Sequence, residues 1–235
     1  MSSPFDDSDD TPESPFNALP PAVILLAVVI GGIELLFQIG SYGIVGGPDA
    51  IGWRITAMER FAFFDTVFDA MRDQSVWPFE HVQRFVTYAF VHHSFTHAAM
   101  VVVFILALGK MVGETFGDIA VLVVFFVSVI AGALAYGFFL DTSTPLVGAY
   151  SGAYGLIGSY TLMLWIGLGA MKQNQMRAFS LIGFLLAIQL IFGLLFGATP
   201  DWLADIAGFI TGFAVSILLV PGAPRRIMAR IRARR

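Results

Sequence analysis

Six stretches of about 20 mostly apolar residues dominate this chain, and a water-soluble fold has no way to cover them all. A helix needs about 20 such residues to cross the hydrocarbon core of a bilayer. The stretches run from about Ala22 to Val45, Phe95 to Phe116, Ile119 to Phe139, Leu146 to Leu168, Phe179 to Phe196 and Trp202 to Val220. Hydrophobic residues make up 57% of the 235 and charged residues 13%, against about half and a quarter in soluble domains. Backbone in lipid must satisfy its own hydrogen bonds, so the stretches are expected to be helices. The fold class expected is therefore an all-α membrane protein, one six-helix bundle spanning 21–222. Only Gly197 to Asp201 separate the last two spans, which predicts a tight antiparallel pair.

The charges are segregated. Residues 1–20 carry Asp6, Asp7, Asp9, Asp10 and Glu13 with no base, and read as a disordered acidic tail. Residues 223–235 carry six arginines and no acid, and read as a basic cytoplasmic tail suited to anionic lipid. Lys110, Lys172 and Arg177 fall on the same side as those arginines. The positive-inside rule then places both termini in the cytoplasm, and a bacterial inner membrane is the expected location. The acidic start has no apolar h-region, so no signal peptide is expected. With no cysteine, disulfides, thiolate metal sites and a cysteine nucleophile are excluded. No cofactor or nucleic-acid partner is expected; lipid is. The first loop, 46–94, alternates aromatic and charged residues, including Trp53, Phe61, Phe63, Phe64, Phe68, Trp77 and Phe79, which predicts a segment lying in the membrane interface.

Polar groups inside spans are costly, so each is a candidate for function. His97 ends the run His92-His93-Ser94-Phe95-Thr96-His97 at the mouth of the second span. Either loop carbonyls satisfy it or it acts in a site. Gly148, Gly152, Gly155 and Ser159 share helical spacing at the start of the fourth span, with Ser151 beside them. Such a stripe lets another backbone approach closely. A hydroxyl near a helix N-terminus could also serve acyl chemistry, because the dipole favours a developing oxyanion. Ala204, Gly208 and Gly212 form a second stripe in the sixth span, expected to pack on the first, with Asp205 next to it. Glu34, in the first span, is either a protonated or hydrogen-bonded interior group or part of a proton relay.

Together these motifs resemble the rhomboid family of intramembrane serine proteases, over about Glu80 to Gly222. Arg84, Thr87, Phe90, His92, Phe95 and His97 keep the register of the family's segment leading into its second span. Gly109 and Glu114 fall near its following glycine and acid. Val147-Gly148-Ala149 and Gly155-Leu156-Ile157-Gly158 resemble the two ends of its serine-bearing helix, and Ala204 to Gly212 resembles the helix that carries its histidine.

The resemblance implies a Ser–His dyad assisted by a histidine and an asparagine at the oxyanion, and here the chain departs from it. An ungapped match puts Tyr150 at the serine position and Ser151 at the glycine after it. Making Ser151 the nucleophile needs a shift of one residue, about 100° around a helix. The histidine position is Asp205; an aspartate, with an ordinary pKa near 3.9, is a poor base for a serine hydroxyl. The asparagine position is Val101, which cannot donate, and only His97 remains. The reading favoured is a catalytically inactive rhomboid-like protein able to hold transmembrane segments of client proteins. The alternatives are a protease using Ser151 with His97 or Asp205 as base, and a proton or solute path through Glu34, His97 and Asp205.

Overall fold

The computed structural model describes residues 18–196 and 199–220, so most of the expected acidic tail and all of the basic tail lie outside the described residues. Helix α1 (Pro21–Ser41) is followed by four short helices, α2 (Trp53–Phe61), α3 (Asp65–Gln74), α4 (Phe79–Val82) and α5 (Arg84–Thr87). Then come α6 (Phe95–Phe116), α7 (Asp118–Phe139), α8 (Tyr150–Ala170), α9 (Ser180–Phe196) and α10 (Trp202–Leu219). Six of these, α1 and α6 to α10, are long and apolar enough to cross a membrane, α9 together with the turn before it. The protein is an all-α, six-helix membrane-spanning bundle.

Local sequence sets the helix ends. Proline sits in the first turn of α1, where its missing N–H costs nothing. Asp118, at the start of α7, accepts the free N–H of Ala22 at 3.0 Å. The helix stops at Ser41, short of the expected Val45, because Gly43, Gly46 and Gly47 take left-handed φ values of 69°, 80° and 66°. Ser94 caps α6 by accepting the His97 N–H at 3.3 Å.

The fourth span also begins later than expected. Leu146 is not helical; it pairs with Phe63 of the first loop in a two-bond antiparallel bridge, N···O 2.9 and 3.1 Å. Gly148 follows at φ +95°, and α8 starts at Tyr150. From Ser151 to Ser159 every residue of α8 is buried, which marks it as the central helix, enclosed by α6, α7 and α10.

Small residues allow that enclosure, in a pattern more divided than one stripe on another. Gly208 lies against the Ser151 carbonyl, and Gly212 against the Gly155 carbonyl, so closely that a Cβ would overlap either oxygen. Gly158 meets the α10 backbone at Phe209 in the same way. Gly152 instead faces Phe125 and Val129 of α7, and a Cβ on Gly155 would strike Ser128. Gly148 belongs to no stripe, because it precedes the helix. Thus positions 151, 155 and 158 meet α10, and 152 and 155 meet α7.

The first loop is more than an interfacial segment. Trp77 and Phe79 are exposed at 50% and 80%, as a lipid-contacting stretch should be, but Phe63 and Phe68 are each only 1% exposed. Phe68 packs edge-on to Phe138 of α7, ring centroids 5.0 Å apart, and Phe63 to Phe85 at 5.1 Å. Arg84 donates to the Ala62 carbonyl at 2.8 Å, and Asp65 accepts the Thr142 N–H at 3.1 Å. The alternation of aromatics and charges therefore arises from side chains that divide between core and surface.

Candidate functional site

The site forms where the turn before α8 crosses the start of α6. The left-handed Gly148 has no room for a side chain: a Cβ would sit 2.7 Å from His97 Cε1. Its N–H donates to the Tyr88 carbonyl at 2.9 Å. The next N–H, of Ala149, donates to His92 Nε2 at 3.2 Å. His92 must therefore be neutral at Nε2, with its proton on Nδ1.

Burial first, then the neighbouring His97, Arg54 and His93, pull the His92 pKa down to about 3. An imidazole that ionises near 6.5 when unfolded and near 3 when folded stabilises the fold fully above about pH 6.5. That contribution is lost as pH falls, by up to about 1.4 kcal/mol per pH unit. The melting temperature of purified protein is expected to fall between pH 7 and 5, and to fall less steeply in His92→Gln.

Tyr150, the first residue of α8, lays its ring on the His97 imidazole, with centroids 4.6 Å apart and planes within 19°. Its hydroxyl reaches the His97 carbonyl at 3.4 Å. His97 Nδ1 is buried without a hydrogen-bond partner. Val101, one turn further along α6, is fully buried among apolar side chains.

Ser151 points elsewhere. It is 2% exposed, and its Oγ lies 2.5 Å from the Tyr88 hydroxyl. Tyr88 Oη donates its one proton to the Val129 carbonyl at 2.8 Å, so the Ser151 hydroxyl donates to Tyr88. Among the described residues Ser151 Oγ makes no hydrogen bond to His97 or Asp205. Its proton is held by a phenol oxygen buried in the protein, which is no base.

Asp205, in the first turn of α10, is 3% exposed, and its Oδ2 accepts from Gln189 Nε2 of α9 at 2.7 Å. A cleft of about 130 Å³ opens here, lined chiefly by His97, Tyr150, Gln189, Thr199, Asp201 and Asp205. The structure thus brings together three of the expected residues, His97, Tyr150 and Asp205. Ser151 touches the cleft wall, but its hydroxyl is spent on Tyr88.

Glu34 belongs to a different network. Arg54 of α2 clasps its carboxylate with two bonds of 2.6 and 2.8 Å and also donates to the His92 carbonyl at 2.8 Å. Glu34, expected as a protonated or hydrogen-bonded interior group or as part of a proton relay, is hydrogen-bonded in the interior as half of an ion pair that fastens the first loop to α1.

Sequence reading missed Tyr88, Gln189, Asp201 and the Arg54 partner. Gln189 alone carried a usable signal, as a lone amide in an apolar span. The other three lie outside the spans and become visible only once the chain is folded.

The family profile described as the Rhomboid domain matches residues 80–222. The chain belongs to the rhomboid family. It is similar to Rhomboid-like protease 3 of Toxoplasma gondii, 30% identical over 132 residues, which are 56% of this chain and 49% of that protein. It is also similar to Rhomboid-like protease 1 of the same organism, 27% identical over 137 residues, 58% of this chain and 47% of the other. The chain spans about half the length of these curated relatives.

Proposed function

We propose that this protein is a rhomboid pseudoprotease that holds transmembrane segments of client proteins without cutting them, in a bacterial inner membrane with both termini cytoplasmic. The observation that carries this reading is the stacking of Tyr150 on His97. On the ungapped match, this ring takes the place where the family's nucleophile would meet the oxyanion-binding histidine. Two features of the resemblance support it. The ungapped match sets Asp205 against the family's general base and Val101 against an oxyanion donor. Loss of one such donor alone costs about 3–4 kcal/mol in transition-state stabilisation.

The relatives are named as proteases, so cleavage is the reading to test against. Purified protein in liposomes is expected to leave transmembrane substrates intact and to take no label from a fluorophosphonate. Label that disappears in Ser151→Ala would overturn the proposal. The combined substitutions Tyr150→Ser, Asp205→His and Val101→Asn are expected to restore labelling, at residue 150. That result would fix the ungapped register as the functional one; labelling at Ser151 would reject it.

A further inference from the structure

The cleft holds two carboxyls and offers no opposite charge. None of its lining residues is lysine or arginine. No ion pair to Asp201 or Asp205 occurs among the described residues. Both acids belong to the start of α10, where a carboxyl often serves as a cap, but neither is used so. Asp201 stands at the N-cap position and makes no capping hydrogen bond; its Oδ1 is buried without a partner. Asp205 is 3% exposed, and among the described residues its carboxyl takes one hydrogen bond, which Oδ2 accepts from Gln189.

The remaining polar atoms of the cleft share that character. Gln189 spends its amide N–H on Asp205, and its Oε1 is buried with no partner. His97 Nδ1 is likewise buried and unpaired, and a neutral imidazole nitrogen can accept. Three side chains, Asp201, Gln189 and His97, thus present buried unpaired atoms able to accept, beside the Asp205 carboxyl and the Tyr150 ring. Buried acceptors left unpaired are costly, and buried carboxylates more so, unless a donor-rich cation completes them. A cation is also attracted to the face of a tyrosine ring.

We propose that this cleft receives the ammonium or guanidinium group of a lysine or arginine carried by a client transmembrane segment. The basic residue would sit at the depth of the α10 N-terminus, so recognition reads a charge that lipid tolerates poorly. This rests on the client-holding reading above and adds the chemical class of the client. The site selects segments with a misplaced basic residue, because the carboxyls supply what the bilayer withholds.

The test uses the full-length protein in lipid nanodiscs and a synthetic 22-residue leucine–alanine span as probe, fluorescently labelled. One lysine replaces a leucine at successive depths, and matching spans carry glutamate or no charge. Binding of the lysine span is expected to be at least tenfold tighter than that of the uncharged span, at one depth only. The preference is expected to vanish in Asp201→Asn combined with Asp205→Asn, where the amide oxygen at 205 can still accept from Gln189. Asp69→Asn, at an exposed carboxyl in α3, is expected to keep it. Thermal melting of each variant separates loss of recognition from loss of fold, and Asp201→Asn alone provides a milder change with the same expected direction. Equal binding of charged and uncharged spans would overturn the cation site while leaving client holding intact. Binding of no span would overturn both.

Discussion

Gly212→Ala is expected to be among the most damaging single changes in this protein, although it adds one methyl group. The new Cβ would overlap the Gly155 carbonyl oxygen. That atom is main chain at the centre of α8, and no rotamer change can move it aside. Overpacking ordinarily costs about 1–3 kcal/mol; with backbone against backbone the cost is expected at or above about 3 kcal/mol. Gly208→Ala should act similarly through the Ser151 carbonyl, and would also shift the helix that carries Tyr150. Gly32→Ala makes the contrast. No atom lies within 4 Å of a Cβ there, and an alanine in a helix interior is worth about 0.5–1 kcal/mol over glycine. Thermal unfolding in a mild detergent should show Gly212→Ala melting far below the native protein and Gly32→Ala at or above it. Equal melting temperatures for all three would contradict this account of the α8–α10 contact.

Glu34→Gln carries the second large effect. It leaves the Arg54 guanidinium half-buried without its counter-charge. Breaking a buried pair from one side costs about 3–5 kcal/mol. Arg54 retains 20% side-chain exposure, so the lower end of that range is expected here. Removing both charges, in Glu34→Leu with Arg54→Met, should cost less than either single change, since no uncompensated charge remains. The effect should also travel. Arg54 holds the His92 carbonyl, and His92 accepts the Ala149 N–H just ahead of α8. Hydrogen exchange at Gly148 to Ser151 is expected to quicken in Glu34→Gln, more than 90 residues of chain away from Arg54 itself. Unchanged exchange there would confine the ion pair to anchoring the loop.

Membrane helices announce themselves in sequence because lipid demands length and apolarity, and all six were legible in this way. Their ends were less so. Ser41 and Tyr150 are set by left-handed glycines, and composition does not say which of several clustered glycines turns the chain. The packing faces were partly legible. Gly208 and Gly212 were expected against the fourth span and lie there, while Gly152 turns to α7, because a buried helix has no outward face to reveal its orientation. In the candidate site the expectation that His97, Tyr150 and Asp205 share one region came from the family resemblance, and the three line one cleft. The direction of the Ser151 hydroxyl could not be read in this way, since it depends on Tyr88, 63 positions earlier in the chain.

The uneven packing of α9 has a consequence for how the cleft behaves. Its first half is tied in, with Ile182 buried and Leu181, Leu185 and Leu186 against the core. Beyond Gln189 the exposed side chains are Leu190, Ile191, Leu194 and Leu195, and among the described residues the single hydrogen bond from α9 to α10 is Gln189 to Asp205. Acyl chains therefore press on one flank of the opening where the other helices press on the rest. For the client binding proposed above, thickness and lateral pressure of the surrounding lipid would then become part of the binding constant. An affinity for a proposed client, measured in a micelle, would describe a different binding surface from the one a bilayer shapes.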